Sequence, residues 1–217
     1  MRVSALFVIS LMGALARAQN FQQWNEVDLA ASWRGVDFTA PFLSRTDSQL
    51  PNPQLAATGI LADFHLPWRL ALTGGYLFAD LPQTSYKVNV PLIAVTEAVH
   101  LGRFSIADRN RFEKLFGYPT EPVRYRNRIL LDRPFGLQNR WHLFADDEVF
   151  FNLSNRSWNQ NRFQAGGGAR LNRRLFVDLY YLQRNPSGGA ATTRVLGSTL
   201  RVSFALRVRA AEKGAEQ

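Results

Sequence analysis

The 217-residue sequence predicts an all-β fold, a transmembrane antiparallel up-and-down β-barrel of ten to twelve strands with twelve favoured. Three observations lead there. Apolar residues recur at every second position in a long series of segments, the period of a strand whose two faces differ. Connections between those segments alternate between short turns and longer polar loops, the pattern of an outer-membrane barrel. The charges that interrupt the apolar runs fall in phase, on one face of each segment.

The leader comes first. Residues 1–18 (MRVSALFVISLMGALARA) combine Arg2, an uncharged apolar run and Ala16-Arg17-Ala18, the order of a secretory signal peptide cleaved near Ala18. The run is shorter than the roughly 20 residues a bilayer-spanning helix needs. Residues 19–206 are then the barrel, and 207–217 a polar tail. Export removes nucleic acid as the reason for the net charge of +9. Zero cysteines exclude a disulfide framework, a thiolate metal site and a lipidated-cysteine anchor. His65, His100 and His142 have no paired metal-ligand spacing, so no metal or other cofactor is expected.

Eleven segments then carry the strand pattern: 24–33, 36–44, 55–66, 68–79, 88–101, 103–116, 123–132, 140–153, 162–172, 175–185 and 194–206. The short connections are Arg34-Gly35, Pro67, Gly102, RPFGLQN and NRR. The long ones are RTDSQLPNPQ, DLPQTSYK, GYPTEP, SNRSWNQN, which carries Trp158, and NPSGGAATT. Trp24, Trp33, Trp68, Trp141, Phe151 and Tyr181 fall near segment ends, where interfacial aromatic girdles belong. An odd count conflicts with the even number usual in bacterial barrels and would send the two termini to opposite ends. Segments 36–44 and 88–101 each contain a proline and are the suspects for a split or non-spanning strand.

The phase of the charges assigns the faces. VRYRNRILLD (123–132) carries Arg124, Arg126 and Arg128 at alternate positions, with Tyr125, Ile129 and Leu131 between. Arginine at mid-membrane on a lipid face costs about 2 to 4 kcal/mol, so the three must point inward. The same rule turns Arg109, Arg111 and Glu113 inward, then Glu148 with Phe150, then Arg162, Gln164 and Arg170, then Asp178 and Tyr180. Asp108, Asn110, Asn127 and Asp147 land on the outer face, which asks for either a local bulge or a place near an interface. Gly166, Gly167 and Gly168 signal either a bulky inward arginine or aromatic from across the barrel packed over them or a strong bend at a barrel corner.

With these residues in view, the chain resembles a bacterial outer-membrane family known by its unknown-function designation, number 2490. The matching stretches are WNEVDL (24–29), RNRFEKLF (109–116), RYRNRILLDRPF (124–135), DDEVFFN (146–152), the run 161–185 and a closing strand. The resemblance implies an outer-membrane barrel with no assigned activity and a recurring polar face through Arg109, Arg111, Glu113, Arg124, Arg126, Arg128, Glu148 and Arg162. Asp108 and the pair Asp146-Asp147 depart from the family pattern.

The expected function is a barrel with a basic interior that its own arginines and acids largely plug, acting structurally or through its loops. The alternative is a narrow anion-preferring channel for small acidic solutes or oligosaccharides. A lipid-modifying enzyme is disfavoured, because no serine neighbours a histidine in the sequence and adjacent Asp146-Asp147 point to opposite faces, so no catalytic residue is assigned. Expected partners are outer-membrane lipid, the barrel-assembly machinery and small anionic solutes.

Overall fold

Two-residue turns that reverse the chain tightly set the architecture at one end. Arg34 and Gly35 both take positive φ, and Gly102 does so at the head of its turn, the conformations that match the twist of paired strands. The computed structural model describes residues 21–47 and 53–205. The expected signal peptide, the 207–217 tail and Leu206 at the predicted barrel end lie outside the described residues.

Eleven strands follow in order: β1 (Phe21–Trp33), β2 (Val36–Asp47), β3 (Leu55–Leu66), β4 (Leu70–Leu81), β5 (Tyr86–Leu101), β6 (Phe104–Lys114), β7 (Val123–Phe135), β8 (Trp141–Asn152), β9 (Ser157–Arg170), β10 (Leu175–Pro186) and β11 (Thr193–Ala205). Each pairs antiparallel with its sequence neighbour, and β1 closes the barrel against β11 in parallel, from Phe21 opposite Arg194 to Ser32 opposite Ala205. One-turn 3-10 segments at Pro67–Arg69 and Leu137–Asn139 lie in the connections.

The favoured count of twelve is therefore corrected to eleven, and no predicted segment is lost. Both proline segments are full strands, for a reason visible in the ladders. Pairing of β2 with β3 lapses over Ala40 and Pro41 while pairing with β1 continues through both. In β5, Pro91 pairs with Tyr76 of β4 but lies just past the end of the β6 ladder at Leu92. A missing N–H is tolerated where one neighbour is not being bonded. Closure needs only that the two free edges meet, and a parallel seam satisfies backbone groups nearly as well as an antiparallel one. As a result β1 and β11 both begin at the longer-loop end and run to the shorter-turn end.

The β8–β9 loop is shorter than the sequence suggests, while the β6–β7 loop is longer, residues 115–122. Residues 153–156 alone connect β8 to β9, so Trp158 belongs to β9, where its ring meets Phe151 edge-on at 5.1 Å. Outside, large apolar groups such as Phe42, Ile60, Phe78, Ile93, Phe112, Ile129, Leu143, Phe163 and Leu179 stand exposed around the circumference. The interior wall is of two kinds. Leu55, Ala57, Leu77, Ala79, Leu81, Val88, Val90 and Leu115 form an apolar cluster along β3 to β5. The wall of β6 to β10 is charged.

Candidate functional site

The candidate site is built by period-two alternation along four consecutive strands, β6 to β9. In the β6–β7 register Arg109 faces Arg128, Arg111 faces Arg126 and Glu113 faces Arg124, and in β7–β8 Arg128 faces Glu148. Cations directly opposite one another on a sheet repel, so the two acids must be shared. Glu113, whose side chain is wholly buried, receives Arg111 Nη2 at 2.8 Å, Arg126 Nη1 at 3.3 Å, and both Nε and Nη2 of Arg124. Glu148 accepts from Arg126 through Nη2 at 2.7 Å and Nε at 3.0 Å, with Arg109 at 3.6 Å and Arg162 at 3.8 Å. Arg126 thus ties the two carboxylates into one network.

Phe150 sits at the centre with no exposed surface. The guanidinium carbons of Arg162, Arg126 and Arg124 lie 4.4, 4.6 and 5.6 Å from its ring centroid, within cation–π range. An aromatic on the inner face supplies what a cation-rich cluster lacks, a surface of negative potential that asks for no further proton donor.

Eight of the ten residues predicted for the polar face gather here: Arg109, Arg111, Glu113, Arg124, Arg126, Arg128, Glu148 and Arg162. Two do not. Arg170 shares the inward phase but ends β9 at the shorter-turn rim, where it is exposed. Asp178 joins a different cluster, accepting from His142 Nε2 at 2.8 Å while Asp132 meets His142 Nδ1 at 2.5 Å. Sequence distance hid this trio, because its members come from β7, β8 and β10. Among the described residues no group of three or more histidines and acids is arranged to hold a metal ion.

Trp24 corrects the girdle assignment. It is buried inside, donating Nε1–H to Gln22 at 3.0 Å, with Gln22 bonded to Gln54 at 2.8 Å and Gln54 to Asp47 at 3.0 Å. Its even number puts it in phase with the buried Gln22 and Asp28 of β1, a signal the sequence contained. Arg45 and Arg184 were also missed, since neither sits in a ladder of charges. Arg45 pairs across from Trp24 and stacks on its ring at 3.9 Å, with Arg162 on the same ring at 5.2 Å.

At the glycine run the space is filled by side chains of the adjacent strands, which corrects the expectation of a group from across the barrel. A Cβ at Gly166 would meet Tyr180 Cβ at 2.7 Å and Phe144 Cζ at 2.9 Å, and one at Gly168 would collide with Asp178 and with His142 Nε2. The covering groups come from the flanking strands β8 and β10, whose partner residues stand beside these glycines. None of the three glycines has positive φ.

The outer-face polar residues need no register shift, because the β6–β7 ladder is continuous. Asn127 Nδ2 bonds Asp108 at 2.5 Å and Asn110 at 3.2 Å, Tyr125 donates its hydroxyl to Asn110 at 2.5 Å, and Asn161 bonds Asp147 at 2.6 Å. They satisfy one another in a row across the strands. The one ladder irregularity in this region lies in β8–β9, between Phe150 and Phe151.

Compared with known proteins, the chain matches over residues 24–194 the model of a family described as Protein of unknown function (DUF2490). No curated protein matches it.

Proposed function

Since the chain belongs to the DUF2490 family, whose description assigns no activity, we propose from its own geometry that it is an outer-membrane barrel with a closed interior, serving the envelope structurally or through its longer loops. The carrying observation is Phe150, fully enclosed by three guanidinium groups that two buried carboxylates hold in place. Moving these side chains aside to pass a solute would break the buried ion pairs and leave charges uncompensated.

The membrane reading draws support from the exposed apolar belt, which a soluble barrel would have to leave against water over far more than a few hundred Å². Trp33, Phe135 and Trp141 at the shorter-turn end, and Tyr181 and Trp158 towards the longer-loop end, suit two interfacial girdles. The row at Asp108, Asn110 and Asn127 works against lipid exposure, and its internal hydrogen bonds offset part of that cost. A soluble periplasmic barrel would need the opposite arrangement, with the apolar faces converging on a core.

An enzymatic role draws less support, because among the described residues no serine hydroxyl is hydrogen-bonded to a histidine. Both ring nitrogens of His142 are engaged by carboxylates, and His65 is held by Asp37 at 2.7 Å while Ser32 bonds that same Asp37 rather than the histidine. A second reading, a narrow anion-preferring pore, draws on the excess of arginine over acid in the interior. Planar-bilayer recording of the detergent-folded protein decides between them. Electrical silence from a folded, inserted barrel fits the closed reading, and discrete anion-preferring openings would replace it with the pore. Carbonate extraction of envelopes tests the location, since release into the soluble fraction would refute membrane insertion.

A further inference from the structure

We propose that the interior holds a binding site for a small multivalent oxyanion, presenting phosphate or carboxylate oxygens, between Arg45, Arg162 and Arg184 beside the Trp24 ring. The inference goes beyond the closed-barrel reading and stands on separate observations.

The first is charge balance. Glu113 and Glu148 are distributed over Arg109, Arg111, Arg124, Arg126 and Arg162. Among the described residues Arg45 and Arg184 make no ion pair, and Arg162 has only the outermost contact to Glu148, at 3.8 Å. The second is register. Arg184 lies directly opposite Arg162 on one side and Thr193 on the other, so its nearest sheet neighbours supply repulsion and no counter-charge. Arg45 is likewise within electrostatic reach of Arg126, Arg184 and Arg124 as like charges, and of Glu26 as an acid that makes no ion pair with it.

The third is unsatisfied hydrogen bonding. The Nε–H groups of Arg45, Arg162 and Arg184 are buried without an acceptor, as are those of Arg109, Arg111 and Arg128 in the neighbouring network, where carboxylates engage other donors of Arg109 and Arg111. Buried donors on charged groups are rarely left so, and where they cluster they mark a place that another acceptor fills. The fourth is preorganisation. Arg45 and Arg162 stack on one indole, and that indole is pinned through Gln22, Gln54 and Asp47, so the two forks are set before any ligand arrives.

The chemistry follows from the donors. A guanidinium offers two parallel N–H groups that match a carboxylate or phosphate edge, and two cations without carboxylate partners call for at least two negative charges. All three arginines and Trp24 come from the portions of their strands nearest the longer loops, so entry is from that end. The network around Phe150 forms the floor.

The test uses the protein folded in zwitterionic detergent at low ionic strength, titrated separately with inorganic phosphate and with citrate by calorimetry, with thermal unfolding in parallel. Saturable binding of either probe, with a rise in Tm, is expected. Binding of one probe alone identifies the oxyanion class. Arg184→Gln should weaken binding at least tenfold, and R45Q combined with R184Q should abolish it, while Arg156→Gln in the β8–β9 turn leaves it unchanged. Without ligand R184Q should melt above the wild type, because it removes repulsion, and with ligand that advantage should disappear. Absence of saturable binding of both probes to the folded wild type overturns the proposal, as does equal binding by R184Q and R156Q. Conductance plays no part in this readout, so the pore and closed readings can fail without deciding it.

Discussion

Replacing Glu113 by glutamine tests the interior network at its most buried point. The substitution keeps the volume and removes the charge that three guanidinium groups share, Arg111 at 2.8 Å, Arg126 at 3.3 Å and Arg124 through two donors. The amide that replaces it has one acceptor oxygen and adds an NH2 facing cations. Removing one partner of a buried ion pair costs about 3–5 kcal/mol, because the remaining charge keeps its desolvation penalty and loses its compensation. Here Arg126 retains Glu148 at 2.7 Å, whereas Arg111 and Arg124 have no other acid within ion-pair distance among the described residues and only the longer-range field of Glu148, so a loss within that range is expected. Reversible urea unfolding in detergent or vesicles, followed by tryptophan fluorescence, measures it. Arg201→Gln provides the contrast, since Arg201 reaches Asp28 only at 3.7 Å with half its side chain exposed, and should cost under about 1 kcal/mol. A double-mutant cycle between E113Q and R124Q should show coupling above about 1 kcal/mol. A loss below about 1 kcal/mol for E113Q, with no coupling, would refute the network as a structural element.

Other expectations follow from single contacts. Phe150→Ala should cost about 3–5 kcal/mol and turn a silent barrel into one with brief anion-preferring openings in bilayer recordings, whereas persistent silence would mean that the closure lies elsewhere. Ile60→Arg, on the exposed outer face of β3, should destabilise the vesicle-inserted protein by about 2–4 kcal/mol and leave a water-soluble barrel nearly unaffected, which separates the two locations in unfolding titrations. Gly197→Val should lower stability by about 1–3 kcal/mol or more, since a Cβ there falls 2.1 Å from the Tyr180 ring. Gly74→Ala, with nothing within 4 Å of its Cβ, should be neutral or stabilising by up to about 1 kcal/mol in the same assay.

Alternation carried the strand positions, the inward phase of the arginine ladders and the outward phase of Ile129 and Leu131, because side-chain direction in a strand is a local property. It carried less where identity misled. Trp24 has an aromatic's preference for interfaces but an inward phase, and phase decided. Pro41 and Pro91 suggested broken strands, yet each needs only one neighbour to forgo a hydrogen bond. The polar outer row at Asp108, Asn110 and Asn127 asked for a bulge until its members were seen to bond one another across strands.

What the sequence by itself determined is the two-faced character of each strand, since the period of two is written residue by residue. Tertiary structure decided everything that depends on closure. Eleven strands bring β1 beside β11 in parallel, and only then does Trp24 of β1 reach Arg162 of β9. The sharing of Glu113 and Glu148, the diversion of Asp178 to His142, and the two arginines left without an acid are likewise matters of register between strands. Register is set by which edges meet around the whole barrel, a global condition that no single segment encodes.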